Sequence, residues 1–315
     1  MSHLAGRYRR RFRSAWPGVR RAGLAAVTAV AFAALLASPA APARAAVPAQ
    51  QAAARAAAPA ASPGWSVRAS YPNPVTGLAG IACPAATTCY SVGTVGLAFN
   101  TYGAAVKTSD GSTWATQSLP IPRSGKPAVD LAGVACPSPS TCFAVGARGS
   151  SFPGPVVMAT TDGGSHWSSQ IGAAGPGVSS LAAVACPSAS TCYAVGAGFA
   201  GSGTAGAVVT TTDGGANWTG ELLSQTTALN GVVCPSANVC FAVGSNATAT
   251  GGQVLVTTDG GATWTPQVPP AGTGILKAVA CTSARACYAV GGGQVVATTD
   301  GGATWISKKV PPPTA

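Results

Sequence analysis

Cysteine is the residue whose number and spacing point most clearly to a specific chemistry in this chain of 315 residues. The ten cysteines form five pairs, and five residues separate the two members of each pair. Under oxidising conditions this even count and regular spacing predict five local disulfides. Zinc sites need closer cysteine spacings or added histidines, and only His166 follows residue 45, so we expect no metal and no cofactor. The predicted disulfides are Cys83–Cys89, Cys136–Cys142, Cys186–Cys192, Cys234–Cys240 and Cys281–Cys287.

Carboxylates are the second group that could carry chemistry, and most of them lie in one motif. The chain has seven acidic residues, and five of them begin a turn that ends in tryptophan. The other two are Asp130 and Glu221, and hydrolysis of a glycosidic bond needs two carboxylates flanking that bond. The sequence does not bring these two together, and His166 lies inside one of the turns. We therefore predict that the chain is not an enzyme, with a glycoside hydrolase or a lyase as the alternative.

The cysteines and aspartates belong to a unit that repeats five times from Leu78 onward. Each unit has an apolar run before the first cysteine, a second run after the second cysteine, a third before the aspartate and a fourth after the tryptophan. First cysteines recur every 47 to 53 residues, which suits a propeller blade of four strands in a meander. The predicted fold class is therefore all-β, a β-propeller of about five four-stranded blades.

One segment before the first unit leaves the blade count open. Trp65 is followed by Ser-Val-Arg-Ala, which resembles the strand after the tryptophan of each unit. It supplies a sixth such strand without a unit of its own. Either this strand pairs with the last blade and closes the ring, or it belongs to an incomplete sixth blade.

The aspartate turns resemble the Asp box of BNR-repeat β-propellers, Ser/Thr-x-Asp-x-Gly-x-x-Trp. Four turns fit this pattern, at residues 160–167, 211–218, 257–264 and 298–305, whereas the turn at 108–114 is one residue shorter. The resemblance covers about residues 65–310 and extends to sialidases, sortilin-type receptor domains and photosystem II stability and assembly factors. It implies the fold and a non-catalytic member, with scaffold roles for one aspartate and one tryptophan per blade. These residues are Asp110, Asp162, Asp213, Asp259, Asp300, Trp114, Trp167, Trp218, Trp264 and Trp305.

The first 45 residues account for most of the net charge of +11. Seven arginines at residues 7–21 precede an uncharged run at 22–37, a pattern typical of a secretory signal peptide. Without residues 1–45, ten Lys and Arg face seven Asp and Glu, so the remaining charge of about +3 argues against nucleic acid as a partner. We expect a secreted monomer, the alternative being tethering by an uncleaved signal anchor. The predicted domains are a signal peptide at 1–45, an Ala/Pro-rich linker at 46–64, the propeller at 65–310 and a tail at 311–315.

Ligand recognition is expected on the face opposite the cysteine and aspartate turns. Those turns are nearly identical between units, whereas the loops at the other ends of the strands differ. Binding sites are commonly built on variable loops of a rigid scaffold, where aromatic and arginine side chains carry much of the interface energy. The predicted function is binding of an extracellular protein or polysaccharide, and a passive structural role in the cell envelope is a further alternative. The predicted contacts are Tyr102, Arg123, Lys126, Arg148 and Phe152.

Overall fold

The computed structural model describes residues 75–96, 102–120, 129–149, 154–170 and 175–308. These residues form five antiparallel sheets, each with four strands in meander order, which we number blade 1 to blade 5 along the chain. The predicted all-β propeller of five four-stranded blades is therefore confirmed. The strands are, in blade 1, β1 Val75–Ala82, β2 Cys89–Val95, β3 Tyr102–Thr108 and β4 Ala115–Thr116; in blade 2, β5 Val129–Ala135, β6 Cys142–Arg148, β7 Gly154–Thr160 and β8 Ser168–Ser169; in blade 3, β9 Val178–Ala185, β10 Cys192–Ala200, β11 Gly203–Thr211 and β12 Thr219–Leu223; in blade 4, β13 Thr226–Val233, β14 Cys240–Asn246, β15 Gly252–Thr257 and β16 Thr265–Gln267; and in blade 5, β17 Leu276–Cys281, β18 Cys287–Gly291, β19 Gln294–Thr298 and β20 Ile306–Lys308.

Several predicted segments lie outside the described residues. They are the signal peptide at 1–45, the linker at 46–64, the strand that follows Trp65 and the tail at 311–315. Within the part of the chain that is described, no helix is long and apolar enough to cross a membrane.

The innermost strands pack closely because glycine and alanine occupy the positions where one strand faces the next. A Cβ atom added to Gly80 of β1 would lie 3.0 Å from the Cα atom of Gly133 in β5. One added to Gly133 would lie 3.0 Å from the Cα atom of Ala183 in β9. These separations are at the lower limit for a Cβ atom, so a larger side chain would push the blades apart. The small residues therefore set the spacing between the inner strands.

The glycine that ends each Cys-aromatic-x-Val-Gly run faces a bulge in the innermost strand. In blade 2 the pairing of β5 with β6 shifts register between Leu131 and Gly133. At this shift the backbone of β5 comes so close to Gly146 that an added Cβ atom would overlap the carbonyl oxygen of Asp130. Only glycine fits such an approach, which explains why this residue recurs in every unit.

All five predicted disulfides are present, with Cα–Cα separations of 4.0 to 4.1 Å. Each one joins the innermost strand to the start of the second strand across the cysteine turn. This turn also accepts a hydrogen bond from the aspartate turn of its own blade, for example from the Gly163 N–H to the Ser140 carbonyl oxygen at 2.8 Å. The cysteine and aspartate turns therefore share one face, as the meander predicts.

Four hydrophobic clusters join each blade to the next one along the chain. In each cluster an aromatic residue of the second strand meets the tryptophan of the following blade's aspartate turn, and that tryptophan is 5 or 6% exposed. Edge-to-face contacts add to the energy of burial, so these rings are the main links between blades. Three pairs have ring centroids 5.8 to 6.3 Å apart, namely Phe143–Trp218, Tyr193–Trp264 and Phe241–Trp305.

Among the described strands, blade 5 and blade 1 do not form an equivalent interface. On blade 1, Leu78 is 38% and Ile81 is 63% exposed, although the counterparts of Leu78 in the other blades are 0 to 2% exposed. On blade 5, Tyr288 is 46% and Val290 is 41% exposed, although their counterparts in the other blades are 0 or 1% exposed. We call the region bounded by these four residues the seam.

Truncating the same leucine in two blades tests whether the seam is open in solution. Leu276→Ala removes a fully buried side chain, so we expect the free energy of unfolding to fall by about 2–5 kcal/mol. Leu78→Ala should cost roughly half of that or less, because Leu78 already contacts water. Chemical unfolding with the disulfides intact measures both values. Equal losses would show that a complete blade interface covers Leu78.

Removing one disulfide tests how much the short covalent loops contribute. The Cys281–Cys287 loop spans six residues, so the double substitution Cys281→Ala/Cys287→Ala should lower the free energy of unfolding by about 2 kcal/mol. Arg285→Ala, an exposed change in the same turn, should stay within about 0.5 kcal/mol of the parent protein. Denaturant titration under non-reducing conditions gives both numbers. A double variant as stable as the Arg285 control would contradict the expected role of the loop.

Candidate functional site

The aspartates use their carboxylates within their own turns. In blade 3, Oδ1 of Asp213 accepts hydrogen bonds from the Thr211 hydroxyl at 2.8 Å and the Asn217 backbone N–H at 2.9 Å, and Oδ2 accepts one from the Asn217 side chain at 2.8 Å. The residues that take the place of Asn217 in blades 2, 4 and 5 are His166, Thr263 and Thr304. A carboxylate bound in this way has little capacity left for a substrate.

Hydrogen bonds to these carboxylates also favour their charged form. In each case the pKa is lowered mainly by the residue four positions after the aspartate, whose backbone N–H and side chain form hydrogen bonds with the carboxylate. The three carboxyl groups whose pKa falls from 3.8 to about 2 are Asp162, Asp213 and Asp259. General acid–base catalysis near neutral pH needs a pKa close to 7, so these groups are unsuited to it.

The first aspartate turn differs from the other four, in line with its shorter spacing. Oδ1 of Asp110 accepts hydrogen bonds from the backbone N–H groups of Thr113 at 2.7 Å and Ser112 at 2.8 Å. These bonds come from residues two and three positions later, whereas the other turns use the residue four positions later. Trp114, which ends this turn, is half-buried. Blade 1 is therefore the irregular member of the repeat.

Blade 1 also carries a cleft of about 610 Å³. The cleft lies where β1 and β3 begin and β2 ends, so it opens on the face opposite the cysteine turns. Its walls include Val75, Val95, Tyr102, Gln117 and Leu119, and residues 103–105 of β3 also line it. Its surface is mainly apolar, with an aromatic ring and an amide at the margin.

The outermost strand of blade 1 is as short as that of blade 2, and it leaves the start of β3 unpaired on its outer side among the described residues. β4 pairs with β3 only through Thr116 opposite Val106 and Ala115 opposite Lys107. The Gln117 N–H then donates to the Ala105 carbonyl oxygen at 2.8 Å, which is the last pairing on this side of β3 among the described residues. Hydrogen-bonding groups alternate along a strand, so the N–H and C=O of Gly103 point to the same side as those of Ala105.

Blade 3 shows what fills this space when the outermost strand is longer. Its β12 has five residues, and Leu222 and Leu223 lie opposite Ala207 and Gly206 of β11. Leu223 is only 7% exposed and belongs to the cluster between blades 3 and 4. Gly206 stands five residues before the last threonine of its strand, as Gly103 does in blade 1. In blade 1 the residues four and five positions after the tryptophan are Ser118 and Leu119, which line the cleft, and Leu119 packs against the cluster between blades 1 and 2.

A smaller polar cleft of about 320 Å³ adjoins the first one. The two share residues 116–118, and the polar cleft extends to Lys107 and to the aspartate turn of blade 2. Nζ of Lys107 donates to the Gly163 carbonyl oxygen at 2.8 Å and lies 5.4 Å from the centroid of the Tyr90 ring. The ammonium group of Lys107 is thus held beside the apolar cleft, at the junction of blades 1 and 2.

The structure places two of the five predicted contact residues. Tyr102 lines the cleft of blade 1. Arg148 ends β6 and is half-buried, and its buried Nε atom finds no acceptor among the described residues. Arg123, Lys126 and Phe152 lie outside the described residues, so their role as contacts stays a prediction.

Three residues of the cleft, Gly103, Ala105 and Leu119, are not identified by the sequence reasoning. Small residues in a strand give no signal of their own, because they also occur at crowded core positions. The run after each tryptophan differs between blades, since blade 3 continues with Thr-Gly-Glu-Leu-Leu and blade 1 with Ala-Thr-Gln-Ser-Leu-Pro. Blade 2 has an outermost strand as short as that of blade 1 without a proline at this place, so the run gives no specific signal for the cleft.

The two remaining carboxylates lie in different parts of the sheets. Asp130 is on the innermost strand of blade 2, and Glu221 is on the outermost strand of blade 3, where burial raises its pKa. The two carboxylates therefore lie in different blades, at opposite edges of their sheets. Glycosidases hold their two carboxyl groups about 5 to 9.5 Å apart. Within the described ranges, no group of three or more His, Cys, Asp or Glu residues is placed to hold a metal ion.

The bound aspartates predict how stability depends on pH. Because the folded-state pKa of Asp213 lies at about 2, below its ordinary value of 3.8, its contribution is complete above about pH 4 and disappears as the pH falls toward 2. Asp213→Asn should therefore lower the melting temperature at pH 7, and the difference from the parent should shrink between pH 4 and pH 2. Thermal unfolding across this range measures the effect, with Asp130→Asn as the control. A difference that stays constant down to pH 2 would contradict this assignment.

Comparisons with known proteins find similarity through structure. No protein-family model matches the chain, and no curated protein matches it either. An ancestral GH74 enzyme superposes with a TM-score of 0.52 at 15% identity, covering 76% of this chain and 32% of that chain. The Hadza microbial sialidase Hz136 superposes with a TM-score of 0.51 at 16% identity, covering 72% of this chain and 56% of that chain. A structure of YCF48 bound to D1 peptide gives a TM-score of 0.46 at 15% identity, with coverages of 75% and 81%.

Identities of 15 and 16% bear on the fold and not on the activity. The superpositions agree with the five meandering sheets. The chain therefore has the β-propeller fold of the sialidase and GH74 structures.

Proposed function

We propose that this chain is an extracellular binding module that holds an extended segment of a partner protein in the cleft of blade 1. The observation that carries this proposal is the outer edge of β3, which has no partner strand before Ala105 among the described residues and borders a mainly apolar cleft. A partner strand would pair with this edge as β12 pairs with the start of β11 in blade 3. Residues of β12 therefore serve as a template for a test ligand.

Addition of a strand explains both affinity and selectivity. Main-chain hydrogen bonds to a sheet edge supply affinity, and pockets for alternate side chains supply selectivity. Gly103 offers its N–H and C=O to the incoming strand, since it occupies the position that pairs with Leu223 in blade 3. Tyr102 and Leu119 would contact an apolar side chain of the ligand, and Lys107 with Gln117 would face a polar one.

A polypeptide suits this site better than a polysaccharide. A strand edge recognises amide groups in an extended backbone, and glycans offer no such repeated pattern. The cleft walls are mainly aliphatic, which suits leucine or valine side chains. The predicted contacts Arg123, Lys126, Arg148 and Phe152 would extend the binding surface around the cleft.

Binding fits the placement of acidic groups better than catalysis does. The aspartates of the turns accept hydrogen bonds within their own turns. Asp130 and Glu221 lie in different blades, one on an innermost and one on an outermost strand, whereas a glycosidase holds its two carboxyl groups close together. Secretion of a monomer is part of the proposal. The five disulfides and the basic, then apolar, N-terminus support it.

A synthetic peptide that copies residues 217–224, Asn-Trp-Thr-Gly-Glu-Leu-Leu-Ser, is the probe for this site. Fluorescence anisotropy should show saturable binding of the labelled peptide to the full chain. Ser118→Trp places a bulky ring at the cleft and should weaken binding by about tenfold or more. Ser202→Trp, an equally exposed change at the β10–β11 hairpin of blade 3, should leave the affinity unchanged.

A peptide in which both leucines are replaced by aspartate provides the ligand-side control and should not bind. Equal affinities for the Ser118→Trp and Ser202→Trp proteins would overturn the proposed site. An oligosaccharide that binds the parent protein and is lost in Ser118→Trp would assign the cleft to a glycan instead.

A further inference from the structure

The polar cleft at the junction of blades 1 and 2 is lined by groups that can donate hydrogen bonds. Thr116, Ser118 and Ser165 contribute hydroxyl groups, Gln117 contributes an amide and Lys107 contributes an ammonium group. Two glycines of the aspartate turn of blade 2 complete the lining. No Asp or Glu is among the described residues that line this cleft, so a carboxylate of a ligand would meet donors and no negative charge.

Lys107 is held in place by neighbours from both blades. Its Nζ atom donates to the Gly163 carbonyl oxygen of blade 2 at 2.8 Å and lies 5.4 Å from the centroid of the Tyr90 ring of blade 1. Tyr90 is 1% exposed, and its hydroxyl group donates to the Pro139 carbonyl oxygen at 2.8 Å, so the ring is fixed. An ammonium group carries three N–H donors, and Gly163 accepts one of them. Because the lysine is already ordered, a ligand loses little free energy in ordering it.

No side-chain carboxylate forms an ion pair with Lys107 among the described residues, which include all seven Asp and Glu residues of the chain. The ion pair that these residues do form joins Asp162 to His166, with Oδ2 and Nδ1 2.7 Å apart. The other oxygen of Asp162 accepts hydrogen bonds from the Thr160 hydroxyl and the His166 backbone N–H. The charge of the half-buried Lys107 thus faces a carbonyl oxygen and a ring, and a carboxylate would neutralise it.

The lysine is also a departure from the repeat. The corresponding residue directly precedes the threonine of each aspartate turn, and in the other blades it is Ala159, Thr210, Val256 and Ala297. Those blades form the same meander without a charge at this position. The fold therefore does not require Lys107, which lies in the blade that carries the apolar cleft.

The two clefts share residues 116–118, and this arrangement indicates where a carboxylate would lie in the ligand. A strand that pairs with Gly103 antiparallel to β3, as β12 pairs with β11, has its preceding residues beside 116–118 and toward Lys107. Lys107 lies four residues after Gly103, or about 13 Å along the strand. A ligand residue two positions before the one opposite Gly103 covers about half of this distance, and two long side chains can span the rest.

We propose that the polar cleft recognises a carboxylate of the partner segment. The Lys107 ammonium group binds an acidic side chain that stands one or two positions before the apolar residues held in the cleft of blade 1. This inference rests on the proposed function and defines the ligand more closely, as an extended segment in which Asp or Glu precedes aliphatic residues. The peptide of residues 217–224 has this order, since Glu221 precedes Leu222 and Leu223.

Two forms of that peptide test the inference on the full chain. Both are acetylated and amidated, so that the glutamate is the only carboxylate of the first, and the second carries the change Glu221→Gln. Fluorescence anisotropy should show that the parent protein binds the glutamate form about threefold to tenfold more tightly, because a carboxylate accepts a charge-assisted hydrogen bond from Lys107. The preference should shrink between about 0.05 M and about 0.5 M salt, because ions screen such a pair.

Variants of the protein assign the preference to one side chain. Lys107→Thr, which places the residue of blade 3 at this position, should bind the two peptides with equal affinity, whereas Lys107→Arg should keep the preference. Lys277→Thr removes an exposed positive charge from β17 and is the matched control, so it should discriminate between the peptides as the parent protein does.

The outcomes separate this inference from the proposed function. Equal affinities of the parent protein for the two peptides would overturn the inference and leave the strand-binding cleft standing, whereas failure of both peptides to bind would overturn the two together. A preference that survives in Lys107→Thr would overturn the role of Lys107. A free C-terminal carboxyl group that gives the glutamine peptide Lys107-dependent affinity would also overturn the inference, and it would assign the polar cleft to a chain terminus.

Discussion

An aromatic residue in the second strand of one blade contacts the tryptophan of the next blade, and this contact holds neighbouring blades together. No blade can bury both of its faces alone, because a four-stranded sheet this small has almost no interior. The ring pairs at 5.8 to 6.3 Å stack the sheets, and the clusters around them contain the largest buried side chains. Stability is therefore shared between neighbours, as in other repeat proteins. The disulfides and aspartate turns shape each blade so that its tryptophan reaches the neighbour.

The same dependence explains why the ends of the array differ from its middle. Leu78 and Tyr288 carry the same side-chain types as their counterparts, yet they are exposed because each lacks a neighbour among the described blades. The cleft of blade 1 is a separate feature, lined by Ser118 and Leu119 after the short outermost strand that ends at Thr116. The repeat supplies the frame on which this cleft lies.

Much of the fold could be predicted from the sequence, because the residues of one unit determine the disulfide and the strand order of that unit. The cysteine spacing predicted every disulfide, and the four runs per unit predicted the meander in all five blades. The short turn that ends at Trp114 indicated the altered hydrogen bonds of Asp110. These features are local, so a few neighbouring residues determine them.

The candidate site was less accessible to sequence reasoning. Tyr102 was predicted as a contact and lines the cleft, but Gly103, Ala105 and Leu119 were missed because small residues in a strand and a leucine after the tryptophan also occur at ordinary core positions. No residue type marks an open cleft between strands. The exposure of Tyr288 was equally hidden, since its sequence context matches that of Tyr193. These features depend on how neighbouring blades pack, which the sequence of a single unit does not reveal.

Amide hydrogen exchange in the presence of the peptide of residues 217–224 reports on the edge of β3 itself. We expect the Gly103 amide to exchange more slowly when the peptide is bound, while the Gly206 amide, already opposite Leu223, is unchanged. Slowed exchange confined to other blades, with Gly103 unaffected at saturating peptide, would contradict the assignment of the cleft as a strand-binding site.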